Sequence, residues 1–466
     1  MAEHAIVLGG GLVGMLSAAA LVHHVDHVTV IERDTLPSVP EVRKGVPQAR
    51  HAHMLMSSGA RAMDRLVPGL IDHVLAAGGH RISMRTGIVS NTAHGWVPRK
   101  ADLQYVITCG RPLLDFIVGQ RVLATGRVTV RQETDVVGLC GDARRVTDAR
   151  IRERGSGDVT EVAADFVVDA TGRGSNAGNW LVELGLPEVR EVAVDSGLSY
   201  STQVFRVPVP MGADFPALNI LPVPGERLPS HAGALLPIED DRWIVTISGL
   251  RGAEPPSTNE EFVAFARGLR HPVIGDLIAG AEPLGPVHRT RSTSNRRRYY
   301  EEMPQWPAGF VVLGDASAAF NPVYGHGMSV AAMSALALRT ALERTGFPSS
   351  AGKPSLQKEI SASAAVAWAL ATGQDQRYPN GDGEVHSSGG VAARLLRAYL
   401  NRVNKTSASR LSVASAMADV FTLSAPLSRL TEPKVVLAAL LGPTEPPLDE
   451  PPFTPAERKL LSQVLL

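Results

Sequence analysis

Residues 5–33 read AIVLGGGLVGMLSAAALVHHVDHVTVIER, and this stretch sets the fold class. Ala5-Ile6-Val7-Leu8 is a short apolar run of the kind buried in a parallel sheet. A glycine turn follows from Gly9 to Gly14, then a helix over 15–22 and a second strand from Val28 to Glu32. The spacing Gly9-x-Gly11-x-x-Gly14 has a physical logic. Gly9 permits the tight turn, Gly11 lets the backbone approach a pyrophosphate, and Gly14 lets helix lie close on strand. The helix N-terminus attracts the anion, and Leu12 and Val13, in the turn that leads into it, are cofactor-binding candidates with the glycines. Glu32 closes the second strand and is followed by Arg33. A carboxylate at that position accepts both hydroxyls of an adenosine ribose and disfavours a 2′-phosphate. The expected class is α/β, with a Rossmann-like nucleotide-binding domain.

Two later stretches repeat the strand-then-turn pattern: 163–171, AADFVVDAT, and 309–315, GFVVLGD. Ligands of open α/β sheets bind outside the carboxyl ends of the strands, so three strand ends are expected to converge on one site. The last continues as GDASAAFNPVYGHGMS, residues 314–329. The first glycine turn alone does not separate FAD from NAD, but a flavin nucleotide is long enough to need a second strand end. Gly314 and Asp315 supply it, with Asp315 accepting hydrogen bonds from ribityl hydroxyls. Pro322 starts or stiffens the next turn, and Gly325, Gly327 and the amide of Met328 at a helix start approach the pyrimidine edge of the ring. His326, between two glycines, reads as a backbone contributor, with an acid/base role as the lesser alternative.

The 466 residues are 44% hydrophobic and 20% charged, ordinary for a globular protein of two or three domains. Lys plus Arg and Asp plus Glu both number 46, which gives no sign of a nucleic-acid or acidic-membrane partner. Arg296-Arg297-Arg298 reads as a solvated turn. Cys109 and Cys140 are too few for a disulfide framework and fit a reducing compartment. The start lacks a signal-peptide pattern and no apolar run reaches the roughly 18 residues of a spanning helix, so a cytoplasmic location without an integral membrane segment is expected. The expected organisation is a nucleotide-binding domain in three parts (1–81, 108–191 and 292–353), joined through strands in 82–107 to an antiparallel β-sheet substrate domain over 192–291, with a helical region over 354–466.

Together these motifs resemble the single-component FAD-dependent monooxygenases of the p-hydroxybenzoate hydroxylase fold. GGGLVG is similar to their nucleotide fingerprint, VVDATGRGS to a variant of their Asp-Gly motif and GDASAAFNPVYGHGMS to their Gly-Asp motif. With RKGVPQARHAHML and RPLLD, the text most resembles the bacterial polyether-pathway epoxidases of lasalocid and monensin type, related to squalene epoxidase. The resemblance implies FAD as cofactor, O2 as co-substrate, NAD(P)H or a separate flavin reductase as electron source, and a place in polyether antibiotic biosynthesis acting on a polyketide. It assigns Glu32 to the ribose, Arg111 to the pyrophosphate or ribityl region, Asp315 to the ribityl chain and Asp169 to bridging cofactor and domain packing. Arg43, Lys44 and Gln48 fall in a loop that approaches the flavin in this family, with a solvated basic loop as the alternative. Two departures stand out: Ala170-Thr171 where glycine often follows the aspartate, and Ser317 where many relatives have histidine.

His51 and His53, two apart and without a carboxylate partner, do not read as a metal site, and none is expected elsewhere. Cys109 reads as a packing thiol, Met54 and Met56 as core or pocket lining. No side chain is assigned a catalytic role, because oxygen transfer from a flavin C4a-hydroperoxide to an alkene asks the protein only for a dry cavity and an aimed double bond. Epoxidation of a lipophilic polyene is therefore the first reading. Aromatic or polyketide hydroxylation, and flavin-dependent reduction of isoprenoid double bonds, are the alternatives.

Overall fold

Five strands, Ala2–Leu8, Val25–Ile31, Val128–Arg131, Phe166–Asp169 and Phe310–Val312, form one parallel sheet. Its order runs from Phe310–Val312 through Phe166–Asp169, Ala2–Leu8 and Val25–Ile31 to Val128–Arg131. Leu8 pairs with Asp169 and Asp169 with Val312, so the turns after these three strands open side by side, as the sequence predicts. The computed structural model describes residues 2–207, 215–223, 230–378, 382–383 and 390–464.

The strands are apolar on both faces because both are covered. Val7, Val28, Phe166 and Val311 face helices Leu12–Leu21, Arg111–Leu123 and Gly327–Thr345. Ile6, Ile31, Val167 and Phe310 face a three-stranded antiparallel meander through Leu139, Ala149 and Ile151. The first helix begins at Leu12, directly on the glycine turn, three residues earlier than the apolar pattern marks.

A second, mixed sheet of eight strands lies beside this core. Leu198–Arg206, Arg242–Leu250 and Ala232–Ile238 pair antiparallel, and Ala217–Ile220 joins in parallel to Ile88–Thr92. Its outer face is covered by helices Asn259–Arg267 and Val273–Ala279 through Phe262, Ile274 and Leu277, elements that strand alternation alone does not signal. Within the span 192–291, residues 208–214 and 224–229 lie outside the described residues.

Arg296-Arg297-Arg298 is not a solvated turn. These residues form strand Asn295–Arg298, paired with Glu191–Asp195. Arg298 pairs with Glu191 at 2.8 Å and donates to Ala316 O, Arg297 pairs with Glu301 at 2.6 Å, and Arg296 donates to Arg173 O. Each guanidinium finds a carboxylate or carbonyl, which lets the three arginines sit half-buried.

Toward the C-terminus, Ser355–Ala362 and Ala365–Asp375 are separate helices, and Val391–Ser407, Leu411–Phe421, Pro433–Leu441 and Pro455–Val464 follow. Among the described residues no helix is long and apolar enough to cross a membrane.

Candidate cofactor site

The glycine turn is as tight as its spacing requires. Gly9 has φ +98°, and a Cβ on it would meet Ala170 O at 2.7 Å; a Cβ on Gly14 would meet Gly9 O at 1.8 Å. Gly11, in contrast, has nothing within 4 Å of its Cβ position, so its backbone is open to a ligand. Gly11 and Leu12 line a crevice with Gly10, Arg43, Asp115 and Phe116.

Glu32 is buried beneath this turn. Gly10 N–H donates to its Oε2 at 2.7 Å and Asp34 N–H to its Oε1 at 2.9 Å. Arg43 adds an ion pair at 3.1 Å and donates to Gly10 O at 3.0 Å, which latches its loop over the glycine turn. Arg33 points outward and holds the same loop through Gly45 O. Lys44 and Gln48 are exposed.

The other end of the crevice forms at Gly314-Asp315. Gly314 has φ +59°, and a Cβ there would meet Val13 Cγ2 at 2.6 Å, so the two turns touch. Asp315 keeps 38% of its side-chain surface, yet protein surrounds it closely enough to raise its pKa by desolvation, an effect opposed by Arg173, Arg111 and Arg296. That combination describes a carboxylate facing an internal crevice rather than bulk water. Arg111 opens helix Arg111–Leu123 and holds Asp115 at 2.7 Å.

Asp169 is fully buried and turned into its own loop. It accepts from Thr171 N–H at 2.9 Å, from Thr171 Oγ1 at 2.6 Å and from Ser175, while burial raises its pKa. Its visible role is to shape the turn that delivers Arg173, whose Nε lies 3.9 Å from Asp315 Oδ2. Arg173 is the functional candidate that sequence reasoning missed; its position in DATGRGS, two residues past the Thr171 that caps Asp169, was the available signal.

Pro322–Tyr324 forms a short turn capped by Asn321, Gly325 follows at φ +69°, and helix Gly327–Thr345 starts next with Met328 in its first turn. Gly327, like Gly11, has nothing within 4 Å of its Cβ position. His326 is 1% exposed and points away, its Nε2 3.0 Å from Phe421 O, and burial lowers its pKa to about 4. Cys109 is buried in the core of the parallel sheet, where burial raises its pKa.

Above this loop lies the inner face of the eight-stranded sheet. Met56, Leu236 and Ile244 are buried there, and Met54, Val204 and Phe421 pack on them. His51 Nδ1 pairs with Thr202 Oγ1 at 2.9 Å and its ring stands edge-on to Tyr200; burial lowers its pKa to about 4. His53 Nδ1 faces His51 O at 2.7 Å, and burial with the charge of Arg111 lowers it to about 3. Among the described residues no group of three or more His, Cys, Asp or Glu is arranged to hold a metal ion.

The end of strand Val25–Ile31 and that of Phe310–Val312 are three interstrand steps apart, about 14 Å. A mononucleotide does not bridge that distance with a ring beyond it. The open backbone at Gly11 and Gly327, with carboxylates at both ends, fits an extended dinucleotide of the flavin kind. Fold and site thus fit an α/β flavoprotein that holds its dinucleotide across the ends of neighbouring parallel strands.

Residues 3–371 match the family described as FAD binding domain, and the chain belongs to that family. Protein Rv3254 of Mycobacterium tuberculosis is 34% identical over 358 residues, which is 73% of each chain. A flavoprotein/dehydrogenase from Cytophaga hutchinsonii superposes with a TM-score of 0.62 at 15% identity, covering 94% of this chain and 96% of that one. PqsL, described as a probable FAD-dependent monooxygenase from Pseudomonas aeruginosa, gives 0.57 at 20% identity over 81% and 98%. These structural likenesses show the shared fold.

Proposed function

We propose that the protein is an FAD-dependent monooxygenase that epoxidises carbon-carbon double bonds of a lipophilic polyene. Bound FAD, once reduced, would activate O2 and supply the oxygen atom. The observation that carries the reading is the chemistry of the sheet face above the Pro322–Gly327 loop: Met54, Met56, Val204, Leu236, Ile244 and Phe421 make it apolar. Polar groups also reach it: His51 and Thr246 are joined through Thr202, and Ser90 donates to Asn219 in the same row of the sheet. A phenol hydroxylase needs a base placed to take a proton. His326 lies in this loop: its Nε2 donates to Phe421 O and its Nδ1 is buried without a hydrogen-bond partner, but burial lowers its pKa to about 4 and so makes it a weak base. An alkene needs orientation and exclusion of water, which an apolar wall supplies.

In this reading Glu32 and Arg43 hold the adenosine end, Arg111, Arg173 and Asp315 the pyrophosphate and ribityl chain, and the backbone of Gly325 to Met328 the ring. Electrons come from NAD(P)H bound transiently or from a separate reductase. The test is oxygen uptake by the FAD-loaded protein with a reductant and a panel of polyenes. Products heavier by one oxygen per reacted bond support the reading; saturation of the double bonds without oxygen uptake replaces it with the reductase reading.

A further inference from the structure

We infer that Asp375, at the end of helix Ala365–Asp375 in the C-terminal region, is a positioning residue that sets the loop meeting the flavin ring. The inference rests on the assignment of the Pro322–Gly327 backbone to that ring. Asp375 is fully buried and sits where a helix ends, so desolvation raises its pKa and the helix dipole places partial negative charge beside it. Both effects disfavour a carboxylate there. What offsets them is a set of donors drawn from the loop and its neighbouring strand. Tyr324 OH donates to Oδ1; Asn321 Nδ2 donates to Oδ2 at 3.1 Å, and Asn295 Nδ2 donates to the same oxygen.

The network then passes from Asp375 into the loop backbone. Asn295 Oδ1 accepts from Asn321 N–H at 2.7 Å, and Asn321 Oδ1 accepts from Val323 N–H at 3.2 Å. Asn321 and Asn295 are both fully buried. The residues on either side of Pro322 are thereby pinned, through two asparagines, to one carboxylate more than fifty positions away in sequence. Gly325, at φ +69°, follows one residue after Tyr324. Its left-handed conformation aims Gly327 and the start of helix Gly327–Thr345, so a shift at Tyr324 or Asn321 moves the backbone proposed to face the ring. An apolar core at this place would hold the helix as well as an ionic one. A carboxylate with several bonded donors instead fixes where each donor points.

The experiment compares FAD with ADP, which shares the adenosine and pyrophosphate but lacks the ribityl chain and ring, as ligands of apoprotein. In wild type FAD should bind more tightly than ADP, because the ribityl chain and ring contribute. Asp375→Ala should weaken FAD about ten- to a hundredfold while ADP affinity stays within about twofold. The visible absorption band of the flavin that does bind should lose its resolved shoulders as the ring environment loosens. Should Asp375→Ala fail to fold, Asp375→Asn and Tyr324→Phe support the same comparison, each removing one charged or hydroxyl partner at nearly constant volume. FAD affinity unchanged in these variants, or FAD and ADP weakened equally, overturns the positioning role and leaves the ring site standing. Equal affinity for FAD and ADP in wild type overturns the ring site itself, and the role of Asp375 with it.

Discussion

Arg43 Nη1 lies 3.1 Å from Glu32 Oε2, and each side chain is 8% exposed, so one buried ion pair fastens the loop around Arg43 to the glycine turn. The carboxylate that would receive a ribose is already shared with the Gly10 and Asp34 amides. Removing Glu32 leaves Arg43 buried without its counter-charge. Glu32→Ala should destabilise the apoprotein by about 3 to 5 kcal/mol and weaken FAD at least about tenfold. Urea denaturation and FAD titration measure the two effects. In wild type, cofactor released by heat and separated by chromatography should be FAD; FMN alone would refute a two-ended site.

The glycines separate structure from ligand approach. Gly9 and Gly14 touch backbone atoms, so alanine at either should destabilise the protein whether or not cofactor is present. Gly11 and Gly327 have open space at the Cβ position. Gly11→Ala and Gly327→Ala should therefore leave the apoprotein Tm nearly unchanged yet weaken FAD, because the added methyl occupies space the nucleotide needs. Unchanged FAD affinity in both would move the nucleotide elsewhere.

Asp315 contributes charge-assisted hydrogen bonds in the proposed site. Asp315→Ala should lose about 1.5 to 3 kcal/mol of binding, roughly ten- to a hundredfold in FAD affinity. Because Asp315 faces the crevice and its ion pair with Arg173 is long at 3.9 Å, apoprotein folding should largely survive. Titration that finds full affinity removes Asp315 from the site.

The parts of the site built from local pattern were legible in the sequence. Gly9, Gly11, Gly14 and Glu32 belong to one unit whose spacing is fixed by turn and helix geometry, and Gly314 to Met328 to another. What distant segments bring was not. Arg173 reaches Asp315 only because two strand ends lie side by side, and Asp375 meets Asn321 only because a C-terminal helix folds back. The bond of His326 to Phe421 O is of the same kind, because the two residues are ninety-five apart in sequence. The arginines 296–298 were misread because a charge run resembles a solvated turn until Glu191 and Glu301 arrive to pair with it.

Buried histidines make stability depend on acid. His326 and His51 stay neutral in the folded state down to about pH 4, whereas in the unfolded chain each takes a proton near 6.5. Between those values the unfolded state binds more protons, so stability should fall as pH falls from about 6.5 to 4. The slope is up to about 1.4 kcal/mol per pH unit for each histidine, with no contribution above that window and no further loss below it. His326→Phe keeps a ring against Phe421 and should flatten the dependence by one such slope. Urea midpoints of apoprotein at pH 7, 6 and 5 give the comparison; parallel curves for variant and wild type would show that His326 takes its proton equally readily in the folded and unfolded states.

The reaction itself gives the sharpest division among the three chemistries. If an oxygen atom passes to an alkene, no side chain has to remove a substrate proton, and selectivity resides in the apolar wall of Met54, Val204, Ile244 and Phe421. His326, whose Nε2 is 3.0 Å from Phe421 O, is then dispensable for chemistry though not for packing. His326→Ala, loaded with FAD, should keep measurable epoxidation. Polar replacements in the wall, such as Val204→Asp, should lower turnover by admitting water and charge where the double bond lies. Activity would be followed with a reductant, oxygen and a linear polyene carrying E-configured trisubstituted alkenes, reading mass gains of one oxygen per reacted bond. Loss of all turnover in His326→Ala with FAD still bound, or oxygenation of phenols but never of alkenes, would make the protein a hydroxylase with a placed base.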